Sequence, residues 1–211
     1  MVRTHPQWLR TREIVRPEHS RIASHHRVFS YFNDDSQNIR NVPEWGGGAL
    51  MDIGCYPIQF SRFLTGLEPD RVMAAVERDP NFHTDRLTTA ILDFSGVHSL
   101  FTCSTQMVPY QKVQILGTKS RIELEIPFNA PPDRPCRLFL DTGVDLFGGG
   151  VQEEHFTLCD QYAIQGDLFS RAIRGDGEVP TPLEDAMGNM AVIEALTESA
   201  RTGCWVASGA S

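Results

Sequence analysis

Residues 46–56 read Gly-Gly-Gly-Ala-Leu-Met-Asp-Ile-Gly-Cys-Tyr, and no other stretch of the chain restricts its folding as tightly. Gly46, Gly47 and Gly48 remove every Cβ from a short segment, so backbone can approach backbone or ligand closely, and positive φ is tolerated. The chain therefore turns sharply here into another element. The spacing of Leu50, Ile53, Pro57, Phe60 and Leu64 predicts a helix with an apolar stripe, and places Asp52, Tyr56 and Gln59 on a different face. A helix that starts at the glycines stacks Asp52 and Tyr56 as an i,i+4 pair. Spacing alone also fits a blander reading, a carboxylate near a helix dipole and a half-buried aromatic.

The segment before the glycines feeds the same place. Pro6 suits the first turn of a helix that Trp8, Leu9, Arg12 and Val15 continue towards Pro17. That helix is short and shows no strand partners for its apolar residues. Val28, Phe29, Tyr31 and Phe32 predict a strand over 27–32. The polar loop 33–43 follows, and Asn38, Arg40 and Asn41 in it can line the same cleft as Asp52 and Tyr56. A solvated loop is the competing reading for Asn38 and Arg40.

After Gly66 the apolar residues alternate instead. Val72, Ala74 and Val76 mark one strand, and 86–94 and 99–106 form a hairpin around Ser95-Gly96. Residues 112–116 and 121–126 form a second pair, with Ile122, Leu124 and Ile126 on a buried face and Arg121, Glu123 and Glu125 on a polar one. Further strands are expected at 136–140 and 151–158, around Gly148-Gly149-Gly150. A helix over 161–174 carries Ile164, Leu168, Ala172 and Ile173 on one side and stops at Gly175. Thr181, Pro182 and Glu184 start the last helix, which runs through Leu183, Met187, Met190, Ile193 and Leu196 to Gly203. The expected architecture is α+β, an open, mainly antiparallel sheet of five to seven strands with helices packed on one face.

Composition narrows the function. A net charge of −8 argues against a nucleic-acid partner, which needs a basic field. Five scattered cysteines without a C-x-x-C pair fit a reducing, cytoplasmic setting, and no run of about 20 apolar residues predicts a membrane span. His5, His25 and His26 have no ligand-spaced partners, and adjacent strand residues point to opposite faces, so no metal site is expected. Cys55 has no neighbouring cation in sequence and reads as a buried thiol.

The order of short segments carries a resemblance. H-P-Q-W at 5–8, S-Y-F-N at 30–33, N-I-R-N at 38–41, G-G-G-A-L-M-D-I-G-C-Y-P-I at 46–58, E-R-D-P at 77–80, T-D-R-L-T at 84–88, S-T-Q at 104–106, G-T-K-S-R-I-E-L-E-I-P at 117–127 and P-L-E-D-A at 182–186 resemble the second domain of the Gfo/Idh/MocA oxidoreductases. The branch it is similar to contains glucose-fructose oxidoreductase, dihydrodiol dehydrogenase and xylose dehydrogenases. The resemblance implies a substrate-binding domain whose sheet supports dimerisation, working beside a Rossmann domain that binds NADP or NAD. It implies that Tyr56 is the proton donor or acceptor at the substrate oxygen, with Asp52 matching the carboxylate before it. It also implies a lysine from an E-K-P segment beside that oxygen.

Neither the G-x-G-x-x-G turn nor E-K-P occurs in these 211 residues, and Lys112 and Lys119 lie in the sheet region. No cofactor is therefore expected on this chain alone. Residues 1–20 read as the end of a dinucleotide-binding domain and 21–211 as the substrate-binding and dimerisation domain. The reading that follows is the substrate domain of an NAD(P)-dependent sugar, polyol or diol oxidoreductase, inactive in isolation, with a sugar or diol as ligand, Asn38 and Arg40 as its contacts and a homodimer through the sheet. A non-catalytic carbohydrate-binding module and an interaction subunit pairing with a full-length relative are the alternatives.

Overall fold

The computed structural model describes residues 2–15 and 22–209. Among the described residues, four α-helices and a nine-stranded sheet form an α+β fold, with strand order β8-β7-β6-β5-β1-β4-β3-β2-β9. The strands are β1 (Ile22–Phe32), β2 (Arg71–Arg78), β3 (Asp85–Asp93), β4 (His98–Ser104), β5 (Gln106–Gly117), β6 (Arg121–Leu124), β7 (Arg137–Asp141), β8 (Val151–His155) and β9 (Val206–Ala207). The helices are α1 (Pro6–Ile14), α2 (Cys55–Thr65), α3 (Gln161–Ile173) and α4 (Leu183–Thr202). The sheet is open and mostly antiparallel, as expected, but larger than the five to seven strands predicted. β1 and β4 run parallel, with Ser24 opposite His98 and Ser30 opposite Ser104.

The chain divides into two compact units. One comprises Met1–Ala23 with Lys112–Ala186. In it, α1 has the partners that the sequence did not reveal: Trp8 is fully buried, its Nε1 donates to the Pro127 carbonyl at 2.7 Å, and its ring stacks on Phe128. His5 caps this helix, its Nδ1 accepting from the Gln7 amide at 3.2 Å. The expected continuation to Pro17, and the expected domain boundary at residue 20, lie outside the described residues. Ile122 and Leu124 are buried while Arg121 is exposed, so β6 has the predicted polar and apolar faces; the strand itself ends at Leu124, before Ile126. Its polar face is bound by cross-strand ion pairs, Lys112 to Glu123 at 2.6 Å and Arg121 to Asp141 at 2.8 Å. α3 is capped by Asp160, but Ile173 is exposed, so its inward stripe reduces to Ile164, Leu168 and Ala172, each half-buried.

The second unit comprises Ser24–Gln111 with Met187–Ser211. Here β3 and β4 form the predicted hairpin, and Ser95 and Gly96 both take positive φ, 52° and 105°, as a type I′ turn requires. β2 pairs with β3 in antiparallel register and with the two-residue β9 on its other edge. Every member of the α2 stripe is buried, namely Leu50, Ile53, Pro57, Phe60 and Leu64. The stripe expected of α4 holds only in its C-terminal part: Ile193 and Leu196 are buried, whereas Leu183 and Met187 are exposed. His25 is buried and His26 exposed, as alternation along β1 dictates.

Candidate functional site

The site is built at the entry to α2. Asn41 pins the preceding loop, its buried amide donating to the Asp35 carbonyl at 2.9 Å. Asn38 caps a single 3-10 turn, Ile39–Asn41, by accepting from the Arg40 amide at 3.1 Å. The loop then folds back on itself: the amides of Gly47 and Gly48 donate to the carbonyls of Val42 and Arg40, at 3.0 and 2.9 Å. A Cβ on Gly47 would lie 2.6 Å from the Arg40 carbonyl oxygen, and one on Gly48, where φ is +128°, would lie 1.9 Å from Asp85 Oδ1. Both glycines are thus required by close approach, as the sequence predicts.

Asp85 is why the chain closes there. Its Oδ2 accepts from the Leu50 amide at 2.7 Å and from the Thr88 hydroxyl at 3.0 Å, satisfying an amide that a helix start leaves without a backbone partner. Burial holds the Asp85 carboxyl above the ordinary carboxylate range.

The helix does not begin as a regular α-helix. Leu50–Gly54 forms a π turn before α2 proper starts at Cys55. Gly54 permits the tight packing of this turn, since a Cβ there would lie 2.9 Å from Leu50 Cδ1 and 3.1 Å from Cys103 Sγ. The Asp52 carboxylate takes Arg40 Nε on Oδ1 at 2.8 Å and the hydroxyl of Tyr31 on Oδ2. π turns recur at functional sites because they redirect one side chain without ending the helix.

Tyr31 lies at the end of β1, and desolvation followed by its hydrogen bond to Asp52 pushes its phenol well above the ordinary tyrosine value. Tyr56 follows on α2, half-buried, with its ring edge-on to Phe29 at 5.6 Å between centroids. The guanidinium of Arg40 is within electrostatic reach of both phenols. Tyr31, Arg40, Asp52 and Tyr56 therefore form one polar cluster, of which sequence reasoning identified three members. It missed Tyr31, whose only signal was a strand of aromatic residues ending in Asn33. Asn38 caps the turn that carries Arg40, and its Oδ1 also accepts from Arg40 Nη1 at 3.5 Å. Trp45, in the turn Pro43–Trp45 next to the glycines, is 69% exposed.

Cys55 is half-buried and donates to the Asp52 carbonyl at 3.5 Å. Burial, reinforced by the Asp52 charge, pushes its thiol up to about 11, so it is no nucleophile at neutral pH. Among the described residues, no group of three His, Cys, Asp or Glu side chains is placed to hold a metal, and no helix is long and apolar enough to cross a membrane.

Residues 3–123 match the family model of the GFO/IDH/MocA C-terminal domain. An uncharacterized oxidoreductase of Rhizobium meliloti is 40% identical over 207 residues, covering 97% of this chain and 62% of that protein. The NADP-dependent D-xylose 1-dehydrogenase 2 of Haloferax volcanii is 31% identical over 209 residues, covering 98% of this chain and 62% of the enzyme. Among solved structures, the aldose-aldose oxidoreductase of Caulobacter crescentus, complexed with glycerol, superposes with a TM-score of 0.84 at 22% identity, over 98% of this chain and 62% of that one. At that identity the likeness establishes the fold. The chain thus spans about three-fifths of the length of the relatives it matches.

Proposed function

Because the chain belongs to the GFO/IDH/MocA family of oxidoreductases, we propose that its 211 residues supply the substrate-binding and dimerisation part of an NAD(P)-dependent enzyme acting on a sugar, polyol or diol. The observation that carries this reading is the convergence of Tyr31, Arg40 and Asp52 at the start of the helix that bears Tyr56. Relatives named for xylose and dihydrodiol oxidation support the substrate class.

In this proposal Tyr56 donates or accepts the proton at the reacting substrate oxygen. Arg40 places positive charge near that phenol and stabilises negative charge developing there. Asp52 acts as the positioning carboxylate. Both its oxygens are engaged, so it fixes Arg40 and Tyr31 and is poorly placed to serve as a free base. The exposed ring of Trp45 offers an apolar surface for the C–H face of a sugar.

A nicotinamide cofactor, where bound, supplies the hydride chemistry. Neither glycine turn fits its pyrophosphate. Gly47 and Gly48 are packed against their own chain and Asp85, and a Cβ on Gly149 would lie 2.4 Å from Asp145 Oδ2, so each glycine turn is occupied by carbonyl or carboxylate oxygen where a pyrophosphate needs N–H donors. The assignment to these residues is therefore confined to the substrate oxygen. Exposed Val108 and Tyr110, on one face of β5, are the apolar surface offered to a second copy.

Calorimetric titration tests the cofactor part: NADPH binds these 211 residues no tighter than about 1 mM, and cofactor-dependent turnover of aldoses or diols by them alone overturns it. Titration with D-xylose tests the cleft. Binding that Trp45→Ala and Tyr56→Phe leave unchanged removes the site assignment. Light scattering reads the dimer, and a monomer at all concentrations removes that role.

A further inference from the structure

His25 and Arg27 lie two residues apart on β1, so both side chains face inward, and they are 0% and 2% exposed. The Arg27 guanidinium sits over the Phe60 ring, 4.6 Å from its centroid. Its Nη1 donates to Ser61 Oγ at 2.8 Å and to Ser99 Oγ at 2.6 Å. Those hydroxyls have no further proton to give: Ser61 donates to the Pro57 carbonyl at 2.7 Å, which leaves Ser99 as the donor in the 2.8 Å contact between the two serines.

What remains is one edge of the guanidinium. Nε and Nη2 of Arg27 have no hydrogen-bond partner, nor has either ring nitrogen of the neighbouring His25. The Nε–Nη2 edge is a fork that receives a carboxylate or another anion through two parallel N–H groups. Among the described residues no carboxylate meets it. A buried charge without a counter-charge is strongly unfavourable, and arginine does not escape by losing its proton as lysine or histidine does. Burial and the Arg27 charge both hold the histidine pKa down, so the ring is neutral and retains one N–H donor.

The surroundings limit what can fit. Ser61 and Ser99 are 0% exposed and Phe60, Phe94 and Phe101 are each 2% exposed, so the fork is sealed between α2 and the sheet. An ion that compensates the guanidinium there carries one negative charge and accepts the N–H groups of the fork.

We propose that the Nε–Nη2 edge of Arg27, with a ring N–H of His25, binds a buried halide ion, chloride under ordinary conditions. The ion neutralises the guanidinium beneath α2 and so stabilises the platform that carries Tyr56. Thermal unfolding in sodium chloride against sodium gluconate at fixed ionic strength reads it. The melting temperature rises by roughly 5–9 °C at a 50-fold excess of chloride over its dissociation constant. In Arg27→Met, which fills the space without the charge, the chloride dependence disappears. Where that variant does not fold, crystals of the unaltered chain grown with bromide carry the test, through an anomalous peak within hydrogen-bonding distance of Arg27 Nε. Equal melting temperatures in the two salts, chloride dependence retained in Arg27→Met, or water or a side-chain carboxylate at the fork in place of bromide each overturn the proposal.

Discussion

Replacing Gly48 by alanine tests how the site is assembled. The added Cβ would stand 1.9 Å from Asp85 Oδ1, on a backbone with φ of +128°. Two costs follow. The φ strain of a residue with Cβ is about 1–2 kcal/mol. Moving Asp85 aside breaks its bonds to the Leu50 amide and the Thr88 hydroxyl, about 1 kcal/mol each for partly buried hydrogen bonds to a carboxyl group. The sum is about 3–4 kcal/mol, or a fall of roughly 6–16 °C in melting temperature for a chain of this size. Differential scanning calorimetry of Gly48→Ala, Asp85→Ala and the double variant separates the terms. In the Asp85→Ala background the clash is gone, so the added cost of Gly48→Ala falls to the φ strain alone. A Gly48→Ala variant that melts within about 1 °C of the parent, or whose cost is the same in both backgrounds, refutes the close-approach argument.

Other substitutions probe the remaining parts. Asp52→Asn costs less than about 1 kcal/mol of stability because its ion pair with Arg40 is largely solvent-screened, yet it weakens D-xylose binding at least about tenfold by releasing Arg40 and Tyr31, read by calorimetry. Tyr31 has a folded-state pKa raised above its unfolded value, so its stabilisation is fully present below about pH 10 and is lost as pH rises beyond that. Urea unfolding of Tyr31→Phe therefore shows a shallower alkaline loss than the parent, and parallel profiles count against the Asp52 contact. Trp8→Phe leaves the Pro127 carbonyl without its buried donor and lowers stability by about 2–3 kcal/mol in chemical denaturation. With its thiol pushed up to about 11, Cys55 reacts with a disulfide reagent at pH 8 only on unfolding, while exposed Cys204 reacts at once, as mass mapping of the labelled peptides shows.

Much of the fold was legible because its signals are local. The α2 stripe, the Ser95-Gly96 turn and the alternation of Ile122 and Leu124 each need only a few neighbouring residues, and all three stand as read. What was illegible depends on distant partners. β1 begins at Ile22, five residues earlier than predicted, because His25 and Arg27 face inward and imitate a polar stretch. β9 is two residues long and exists only as an edge partner of β2. Trp8 seemed unpartnered because its acceptor, Pro127, is 119 residues away.

The site shows the same limit at the scale of one side chain. Asp52 and Tyr56 were readable as a pair because four residues make about one α-helical turn. Gly54 is packed against Leu50 and Cys103 at the end of a π turn, and Asp52 in that turn meets a strand and a loop. Its partners come from positions 21 and 12 residues earlier, so no helical spacing could reveal them. A bulkier residue at Gly54 would press on Cys103 and on the Leu50 side chain before any polar group moved. The Tyr31–Asp52–Arg40 contacts therefore depend on the packing beneath them, and on Asp85 holding the Leu50 amide from the other side.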